Sequence, residues 1–196
     1  VEHFDRAFFI EKFDLDRLQK SAAKFDREKL LAFNLRYVQE LPPEEFARRF
    51  GAWAERFEPE FVQKFIDRYG KEKLELFARI NQGRSKTLRD PVETCRFFLL
   101  DDDSIEVEDS RPIRKALGGE PTGLDLLAGA LERLRDLDGW TTASIERAIG
   151  EFAESRGVGL GKVAQPIRVA VTGGVISPGI HETLAILGRD STIRRI

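Results

Sequence analysis

The residues best suited to binding chemistry lie between Leu160 and Gly188, in a stretch that predicts two short helices joined by a glycine-rich elbow. Ser177 is a residue type favoured at helix N-caps, and Pro178 suits the first helical position, where a backbone N–H is not needed. Such a helix start leaves backbone N–H groups free to receive a phosphate, a carboxylate or a base edge. Arg168, on the preceding helix, adds a planar guanidinium that can pair with a base edge or a phosphate. The elbow is therefore predicted to bind an anion or a nucleobase.

Further basic residues stand on a connector earlier in the chain. Gly83 interrupts a helical pattern and is expected to expose Arg84, Ser85 and Lys86 on a loop. Lys86 and Arg96 suit phosphate contacts, which add affinity without reading a sequence. The plain interpretation of Arg84 is a solvated loop charge, and that of Arg168 is a surface arginine on a helix. Residue type alone leaves both interpretations open.

Helices punctuated by proline and glycine must position these groups. The segments after Pro43, Pro59 and Gly70 place aromatic or leucine side chains at intervals of three and four residues, which predicts amphipathic helices. Nothing in the chain alternates like a strand, so the predicted fold class is all-α, built from two consecutive small helical bundles. The run 101–109 holds six acidic residues and no basic one, and it is interpreted as a solvated linker between two helical units.

The helices after the acidic run are predicted from the same signals. A short helix is expected at 112–117, ended by glycine. The next is expected from Leu124 to Leu137, with leucines at 124, 127, 131 and 134. Thr141 or Thr142 is expected to cap the helix that follows. Cys95 lies on an apolar face and is expected to be an inert buried thiol.

The composition limits the class of protein. Hydrophobic residues make up 41% of the chain and charged residues 34%, which fits a globular, soluble protein. The single cysteine excludes an intramolecular disulfide, and two histidines offer no zinc spacing, so a cytoplasmic location and no metal are expected. No apolar run approaches the roughly 20 residues that span a bilayer, so no membrane partner is expected. The net charge of -2 leaves a polyanionic partner possible, because residues 156–196 hold six basic side chains against two acidic ones. A chain that begins at Val1 and contains no methionine is expected to be a fragment of a longer protein.

Three groups of residues carry a resemblance to a known family. The first group is Lys20-Ser21, Phe25-Asp26, Lys29-Leu30, Asn34 and Tyr37. The second is Lys86-Thr87-Leu88 followed by Cys95-Arg96-Phe97-Phe98. The third is Trp140-Thr141, the run LGKVAQPIRVAVTG at 160–173, and Ser177-Pro178-Gly179. In this order, and over nearly the whole chain, they resemble the C-terminal anticodon-binding region of bacterial glutamyl-tRNA synthetases, a family of class I aminoacyl-tRNA synthetases. The HIGH-like and KMSKS-like motifs of that family's catalytic domain occur nowhere in the 196 residues.

The resemblance implies a domain organisation and a set of contacts with tRNA. It implies the helical end of a stem-contact segment at 1–48 and two helical anticodon-binding subdomains at 49–106 and 107–196. The implied anticodon contacts are Arg84, Arg168, Ser177, Pro178, Gly179 and Ile180. The implied contacts with the tRNA backbone or stem are Asn34, Arg36, Lys86, Arg96 and Lys162. A hydrogen bond between helices is an equally good interpretation of Asn34.

The resemblance also implies an activity for the intact protein. Glutamate–tRNA ligases attach L-glutamate to tRNA(Glu) with ATP and Mg²⁺, and this chain would act as the part that recognises tRNA, with no catalytic centre or cofactor of its own. Its expected partners are tRNA(Glu) and an upstream catalytic domain of the same polypeptide, in a monomer. An arginine at the position of Arg84 implies discrimination against tRNA(Gln) through the third anticodon base. The alternatives are a non-discriminating enzyme and a free-standing helical protein that binds RNA or another protein.

Overall fold

The computed structural model describes residues 4–17 and 24–196, and these residues form twelve α-helices and three short 3₁₀ turns. No strand occurs within the described ranges, so the predicted all-α class is confirmed. Lys20 and Ser21 lie outside the described residues. The helices are α1 (Arg6–Lys12), α2 (Arg27–Glu40), α3 (Pro43–Phe57), α4 (Pro59–Tyr69), α5 (Lys71–Gln82), α6 (Asp90–Thr94), α7 (Arg111–Leu117), α8 (Gly123–Arg135), α9 (Thr142–Ser155), α10 (Leu160–Thr172), α11 (Ile180–Leu187) and α12 (Arg189–Arg195). The 3₁₀ turns are Leu15–Arg17, Arg96–Leu99 and Asp102–Ser104.

Proline and glycine set the helix boundaries of the first bundle, as predicted. Pro43 and Pro59 are the first residues of α3 and α4, where the missing backbone N–H has no helical acceptor to lose. Gly70 ends α4 with a φ of 87°, a left-handed conformation that glycine adopts without a steric penalty. Because these signals are local, they predict the boundaries of α3, α4 and α5 to within a residue or two.

The two halves of the chain share one hydrophobic core. Phe65 packs against Phe77 and Phe98 with ring centroids 5.1 and 5.8 Å apart, and these rings connect α4 and α5 with the 3₁₀ turn at 96–99. The same cluster of buried residues continues into α8, α9, α10 and α11 through Leu134, Ile149 and further aliphatic side chains. The helices that carry the connector and the elbow are therefore packed on a common core. The predicted boundary at 48 falls inside α3.

The apolar face of α8 differs from the predicted one. Leu126, Ala130 and Leu134 are buried, whereas Leu124 is 60% exposed. Gly123, the first residue of α8, is buried against α7, and a Cβ atom there would collide with the carbonyl oxygen of Ala116. This close approach turns the face at 123, 126, 130 and 134 inward, so the prediction that Leu124 begins the buried face is wrong.

The acidic run is not simply a solvated linker. The side chain of Asp102 is only 7% exposed and accepts hydrogen bonds from Arg195 at 2.8 Å, Arg68 at 2.9 Å and Ser191 at 3.1 Å. Arg194 forms a further ion pair with it at 3.0 Å. Because the buried guanidinium of Arg195 needs a counter-charge, the run is drawn into the molecule at this residue. The prediction of a wholly solvated linker is therefore wrong at Asp102.

Within the described ranges, no helix combines the length and the apolar character that crossing a bilayer requires.

Candidate functional site

The elbow begins where a left-handed glycine stops α10. Helix α10 continues through Pro166 to Thr172 and ends at Gly173, whose φ is 78°. A Cβ atom at Gly173 would also collide with the carbonyl oxygen of Glu106. The position therefore requires glycine both for its backbone conformation and for the close approach of the acidic run. The chain then turns through 174–179 to reach α11.

Ser177 does not have the predicted role in this turn. Helix α11 begins at Ile180, its N-cap is Gly179, and no side chain caps it. Ser177 is only 5% exposed, and its hydroxyl accepts a hydrogen bond from Nε of Arg168 at 2.8 Å and donates to the carbonyl oxygen of Pro178 at 3.0 Å. The predictions that Ser177 caps the helix and that Pro178 is its first residue are therefore wrong, because the hydroxyl is used by an arginine from the previous helix.

The prediction that the start of α11 is open to an anion is also wrong. Glu182 lies in the first turn of α11, and its carboxylate is so close to Gly179 that a Cβ atom at Gly179 would collide with it. A carboxylate at a helix N-terminus interacts favourably with the helix dipole. The positive end of α11 is thus already faced by a charge of the chain itself, and attraction for an anion must come from the arginines.

Arg168 and Arg84 lie near each other although they come from different halves of the chain. Arg168 is half-buried, and its pKa is lowered by burial and by the positive charge of Arg84. Arg84 is exposed at the end of α5. Among the residues that the structure describes, neither guanidinium forms an ion pair with a carboxylate. Two unneutralised cations close enough for one charge to lower the pKa of the other create a positive potential that attracts an anion.

The arrangement brings together three of the predicted anticodon contacts. Arg84 lies beside Arg168, and Arg168 is hydrogen-bonded to Ser177. The bond from Nε fixes the plane of the Arg168 guanidinium, and within the described part of the chain its terminal nitrogens donate no hydrogen bond. A guanidinium held at one edge can present the other edge to a base or a phosphate in a defined orientation.

Two isoleucines at the elbow differ in exposure. The Ile180 side chain, predicted to meet a base, is 4% exposed and packs in the hydrophobic core, so it offers no surface to a ligand. Ile176 was not predicted, and it is 73% exposed at the tip of the elbow. Its exposure could have been predicted from the sequence, because Ile176 lies in a turn between Gly174 and Pro178, where an apolar side chain has no core to enter.

A cavity of about 420 Å³ lies beside the elbow, between α7, α8 and α10. Its lining includes Val175 of the elbow, Lys115, Lys162 and Gln165, together with apolar and glycine residues. The Oε1 atom of Gln165 is buried and accepts no hydrogen bond from any described residue. Because this oxygen has almost no accessible surface, it is not open to a ligand, and the exposed polar groups of the cavity lining are the ammonium groups of Lys115 and Lys162.

The predicted contacts with the tRNA backbone occupy varied environments. Lys86 and Arg96 are exposed. Ser85, on the same connector as Lys86, is instead fully buried and its hydroxyl donates to the carbonyl oxygen of Asn81, so the prediction that it is exposed is wrong. Lys162 is exposed and donates to the carbonyl oxygen of Glu120 at 3.0 Å. Arg36 is paired with Glu40 at 2.8 Å within α2. Asn34 donates to the carbonyl oxygen of Lys86, which favours the alternative in which it forms a hydrogen bond inside the protein.

Cys95 lies beneath the connector and is buried, as expected. Burial raises its pKa to about 11, against smaller lowering effects of Thr94 and Arg84. A thiol with such a pKa is almost wholly protonated at neutral pH and is a poor nucleophile. No group of three or more His, Cys, Asp or Glu side chains within the described ranges is placed to hold a metal ion.

Comparisons with known proteins identify the family of the chain. The model of the anticodon binding domain family matches residues 45–196. The chain is 34% identical over 200 residues to a glutamate–tRNA ligase of Syntrophobacter fumaroxidans (strain DSM 10017 / MPOB), and the match covers 100% of this chain and 39% of that protein. The chain thus spans about two fifths of the length of this relative.

Solved structures show the same fold. A glutamate tRNA ligase from Elizabethkingia meningosepticum CCUG26117, in complex with its amino acid, aligns with a TM-score of 0.67 and 23% identity. A glutamate-tRNA synthetase from Elizabethkingia anophelis aligns with a TM-score of 0.65 and 23% identity. Each alignment covers 95% of this chain and 34% of the solved chain. With its match to the family model over most of its length, this chain belongs to the anticodon binding domain family, and it corresponds to that region of glutamate–tRNA ligases.

Proposed function

We propose that this chain recognises the anticodon loop of a tRNA, and that it does so as the C-terminal part of a glutamate–tRNA ligase acting on tRNA(Glu). The observation that carries the proposal is the convergence of Arg84 and Arg168 beside the elbow, with no carboxylate among the described residues to neutralise them. A loop of single-stranded RNA supplies both the phosphates and the unstacked bases that such a surface can bind.

The mechanism of recognition divides the contacts by their chemistry. Arg168, oriented by Ser177, presents its free guanidinium edge to a base edge or a phosphate. Ile176 presents exposed apolar surface to the face of a base. Lys86, Arg96 and Lys162 add salt-dependent affinity through the RNA backbone.

Arg84 is the residue that we propose reads the third anticodon base and rejects tRNA(Gln). Its side chain is exposed, while its backbone N–H donates to the carbonyl oxygen of Asn81 at 3.2 Å. A long cation on a fixed backbone can favour one base edge over another, because a mispaired guanidinium loses its hydrogen bonds in a desolvated position. The alternative is a non-discriminating protein, which would bind and charge tRNA(Glu) and tRNA(Gln) comparably.

In the intact protein, we propose that recognition by this chain serves the attachment of L-glutamate to tRNA(Glu). ATP and Mg²⁺ would be used by a catalytic domain upstream in the same polypeptide, and this chain would contribute the selection of the tRNA. A monomer in the cytoplasm is the arrangement that we expect. No step of the chemistry itself is assigned to residues of this chain.

The proposal is tested by titrating a tRNA(Glu) transcript against the chain at several salt concentrations. Affinity should fall as salt rises, with each single-stranded phosphate contact adding roughly 0.7 to the slope of log K against log salt. Arg168→Ala should weaken binding by about 10-fold or more, the effect of losing a charged hydrogen bond. Arg49→Ala is the matched control, because Arg49 is an exposed arginine on α3 that pairs with Glu45. No binding by the unchanged chain at low salt, or equal effects of the two substitutions, would contradict the proposal.

The proposed discrimination has a separate test. The unchanged chain should bind tRNA(Glu) more tightly than tRNA(Gln). Arg84→Ala should reduce this difference in affinity. Equal affinity of the unchanged chain for both tRNAs would refute discrimination by this chain and leave anticodon binding itself standing.

A further inference from the structure

Helix α2 holds both ends of the connector that carries Arg84. Nε2 of Gln39 donates to the carbonyl oxygen of Gly83 at 2.8 Å, and Nδ2 of Asn34 donates to the carbonyl oxygen of Lys86. The connector 83–86 is therefore spanned by two side chains from one helix. A third bond system runs the other way, since Nε2 of Gln82 donates to the carbonyl oxygens of Val38 and Leu41 at 2.8 and 2.7 Å.

The opposite side of the connector is equally fixed. Ser85 is fully buried, and its hydroxyl donates to the carbonyl oxygen of Asn81 at 2.8 Å. The backbone N–H of Lys86 donates to Oδ2 of Asp90 at 2.7 Å. The connector backbone is thus held between α2 on one side and α5 and α6 on the other, and the side chain of Arg84 is left exposed.

The hydrogen bonds from α2 oppose the repulsion between Arg84 and Arg168. Arg84 and Arg168 carry like charges that are not neutralised by any carboxylate among the described residues, so they repel each other when no ligand is bound. Gly83 does not hold the connector in place, because it has no side chain and no atom lies within 4 Å of the position of a Cβ atom there. Its backbone conformation is helical, which any residue can adopt. Without the bonds from α2, repulsion would favour conformations in which Arg84 moves away from the elbow.

We propose that Gln39 and Asn34 are positioning residues for Arg84, and that they determine how strictly the chain selects the base that Arg84 meets. They act through the two connector carbonyl groups and do not themselves touch the RNA. This inference rests on the proposed function, since it names residues that set the specificity of the same site. It also makes α2 part of the anticodon-reading unit, although the resemblance assigned that helix to stem contact.

The test compares Gln39→Ala and Asn34→Ala with Gln63→Ala. Gln63 is a matched control because its side-chain amide bonds to Asp67 at 2.7 Å on α4, away from the connector. The dissociation constants are measured for a tRNA(Glu) transcript and for the same transcript with its third anticodon base replaced. Loss of one net hydrogen bond predicts that Gln39→Ala and Asn34→Ala each weaken binding of the unchanged transcript by about 2- to 12-fold. Binding of the altered transcript should hardly change, so the selectivity ratio falls.

A double substitution separates positioning from general destabilisation. In an Arg84→Ala background, Gln39→Ala should cause no further loss of selectivity, because the group that it positions is gone. The single cysteine gives a second measurement that needs no RNA. Sγ of Cys95 donates to Oδ1 of Asn81 at 3.4 Å beneath the connector, so a loosened connector should raise the rate at which a thiol reagent modifies the folded chain.

The outcomes distinguish this inference from the proposed function. If the unchanged chain binds and selects tRNA(Glu) while the Gln39 and Asn34 variants keep the same selectivity ratio, the inference is refuted and the proposed function stands. If Gln39→Ala reduces selectivity equally with and without Arg84, positioning through Arg84 is also refuted. If the unchanged chain does not bind tRNA at all, both fail together.

Discussion

Replacing Asp102 with asparagine should lower the free energy of unfolding by several kcal/mol. The reason is that the carboxylate of Asp102 neutralises a buried cation. The side chain of Arg195 is fully buried, and besides Asp102 it donates to the carbonyl oxygens of Phe97, Val171 and Leu100 at 3.0, 3.0 and 2.8 Å. Asparagine preserves the shape and one acceptor, but it removes the counter-charge. Arg195 would then remain buried with neutral partners only.

The expected magnitude follows from the burial of the pair. Removing one partner of a buried ion pair costs about 3–5 kcal/mol, and the acceptor that asparagine keeps favours the lower end, about 3 kcal/mol. Arg194 adds little, because its side chain is 64% exposed and its ion pair is screened by water. For a chain of this length, about 3 kcal/mol corresponds to a fall in Tm of roughly 6–12 °C. This is a large part of the roughly 5–15 kcal/mol that stabilises a typical domain.

Circular dichroism during thermal and urea unfolding measures the effect. Asp103→Asn is the matched control, since Asp103 is the exposed neighbour and should change stability by no more than about 0.5 kcal/mol. A Tm of Asp102→Asn within about 2 °C of the Asp103→Asn value would refute the assignment of Asp102 as the counter-charge of Arg195.

The same comparison predicts a dependence on pH. Burial raises the pKa of Asp102, but hydrogen bonds from Arg195 and Ser191 and the charges of Arg195 and Arg68 outweigh it, so the pKa lies below its ordinary value. A lowered pKa in the folded state contributes stability that is fully present above the unfolded pKa of about 3.9 and is lost as pH falls through the folded pKa. The difference in stability between the unchanged chain and Asp102→Asn should therefore be full at pH 7 and shrink below about pH 4. A difference that grows on acidification would contradict this account.

Three further substitutions test local features of the structure. Gly173→Ala should destabilise the chain by more than about 1 kcal/mol, because φ is 78° and a Cβ atom would collide with the acidic run, whereas Gly174→Ala meets open space and should have a much smaller effect on the urea midpoint. Thr141→Ala should cost about 0.5–2 kcal/mol in the same assay, since it removes the side-chain cap of α9. Ser177→Ala should weaken tRNA binding by about 2- to 12-fold without changing the salt slope, because it frees Arg168 from its fixed orientation and removes no charge. A changed salt slope would instead indicate that Ser177 affects phosphate contacts.

Local sequence signals predicted much of the fold. Pro43, Pro59 and Gly70 mark helix boundaries through their own backbone restrictions, so no distant residue is needed to place them. The capping of α9 by Thr141 was predicted as one of two options, and the structure selects it because Ser144 completes a reciprocal capping box.

Features that depend on distant partners were not predicted. Ser177 has the residue type and the spacing of an N-cap, but its hydroxyl binds Arg168 across the elbow, and α11 starts three residues later. Asp102 stands in a run whose composition indicates solvent exposure, and its main partner Arg195 is 93 residues away in the chain. Burial of Ile180 and exposure of Ile176 depend on how the elbow packs, which residue type does not specify.

Some residues of the candidate site could also be predicted from the sequence, and others could not. Residue type and the neighbouring elbow indicated Arg168 as a possible contact, whereas Arg84 was indicated as an anticodon contact only by the resemblance to a family. Spacing could not bring them together, since the two residues lie on different helical units. Their approach in space is a property of the shared core, which brings the end of α5 toward α10. The anchoring of the connector by Gln39 could not be seen in the sequence, because an exposed glutamine on a helix carries no local signal of its acceptor.

The most direct test of the central claim is a competition experiment with the separate arms of the tRNA. The chain is bound to a labelled tRNA(Glu) transcript, and unlabelled hairpins with the sequences of the anticodon arm and of the acceptor arm are added as competitors. We predict that the anticodon hairpin displaces the transcript from the unchanged chain, and that it competes poorly when Arg84 and Arg168 are both replaced by alanine. Displacement by the acceptor hairpin alone, or equal competition by the anticodon hairpin with and without the two arginines, would contradict the account.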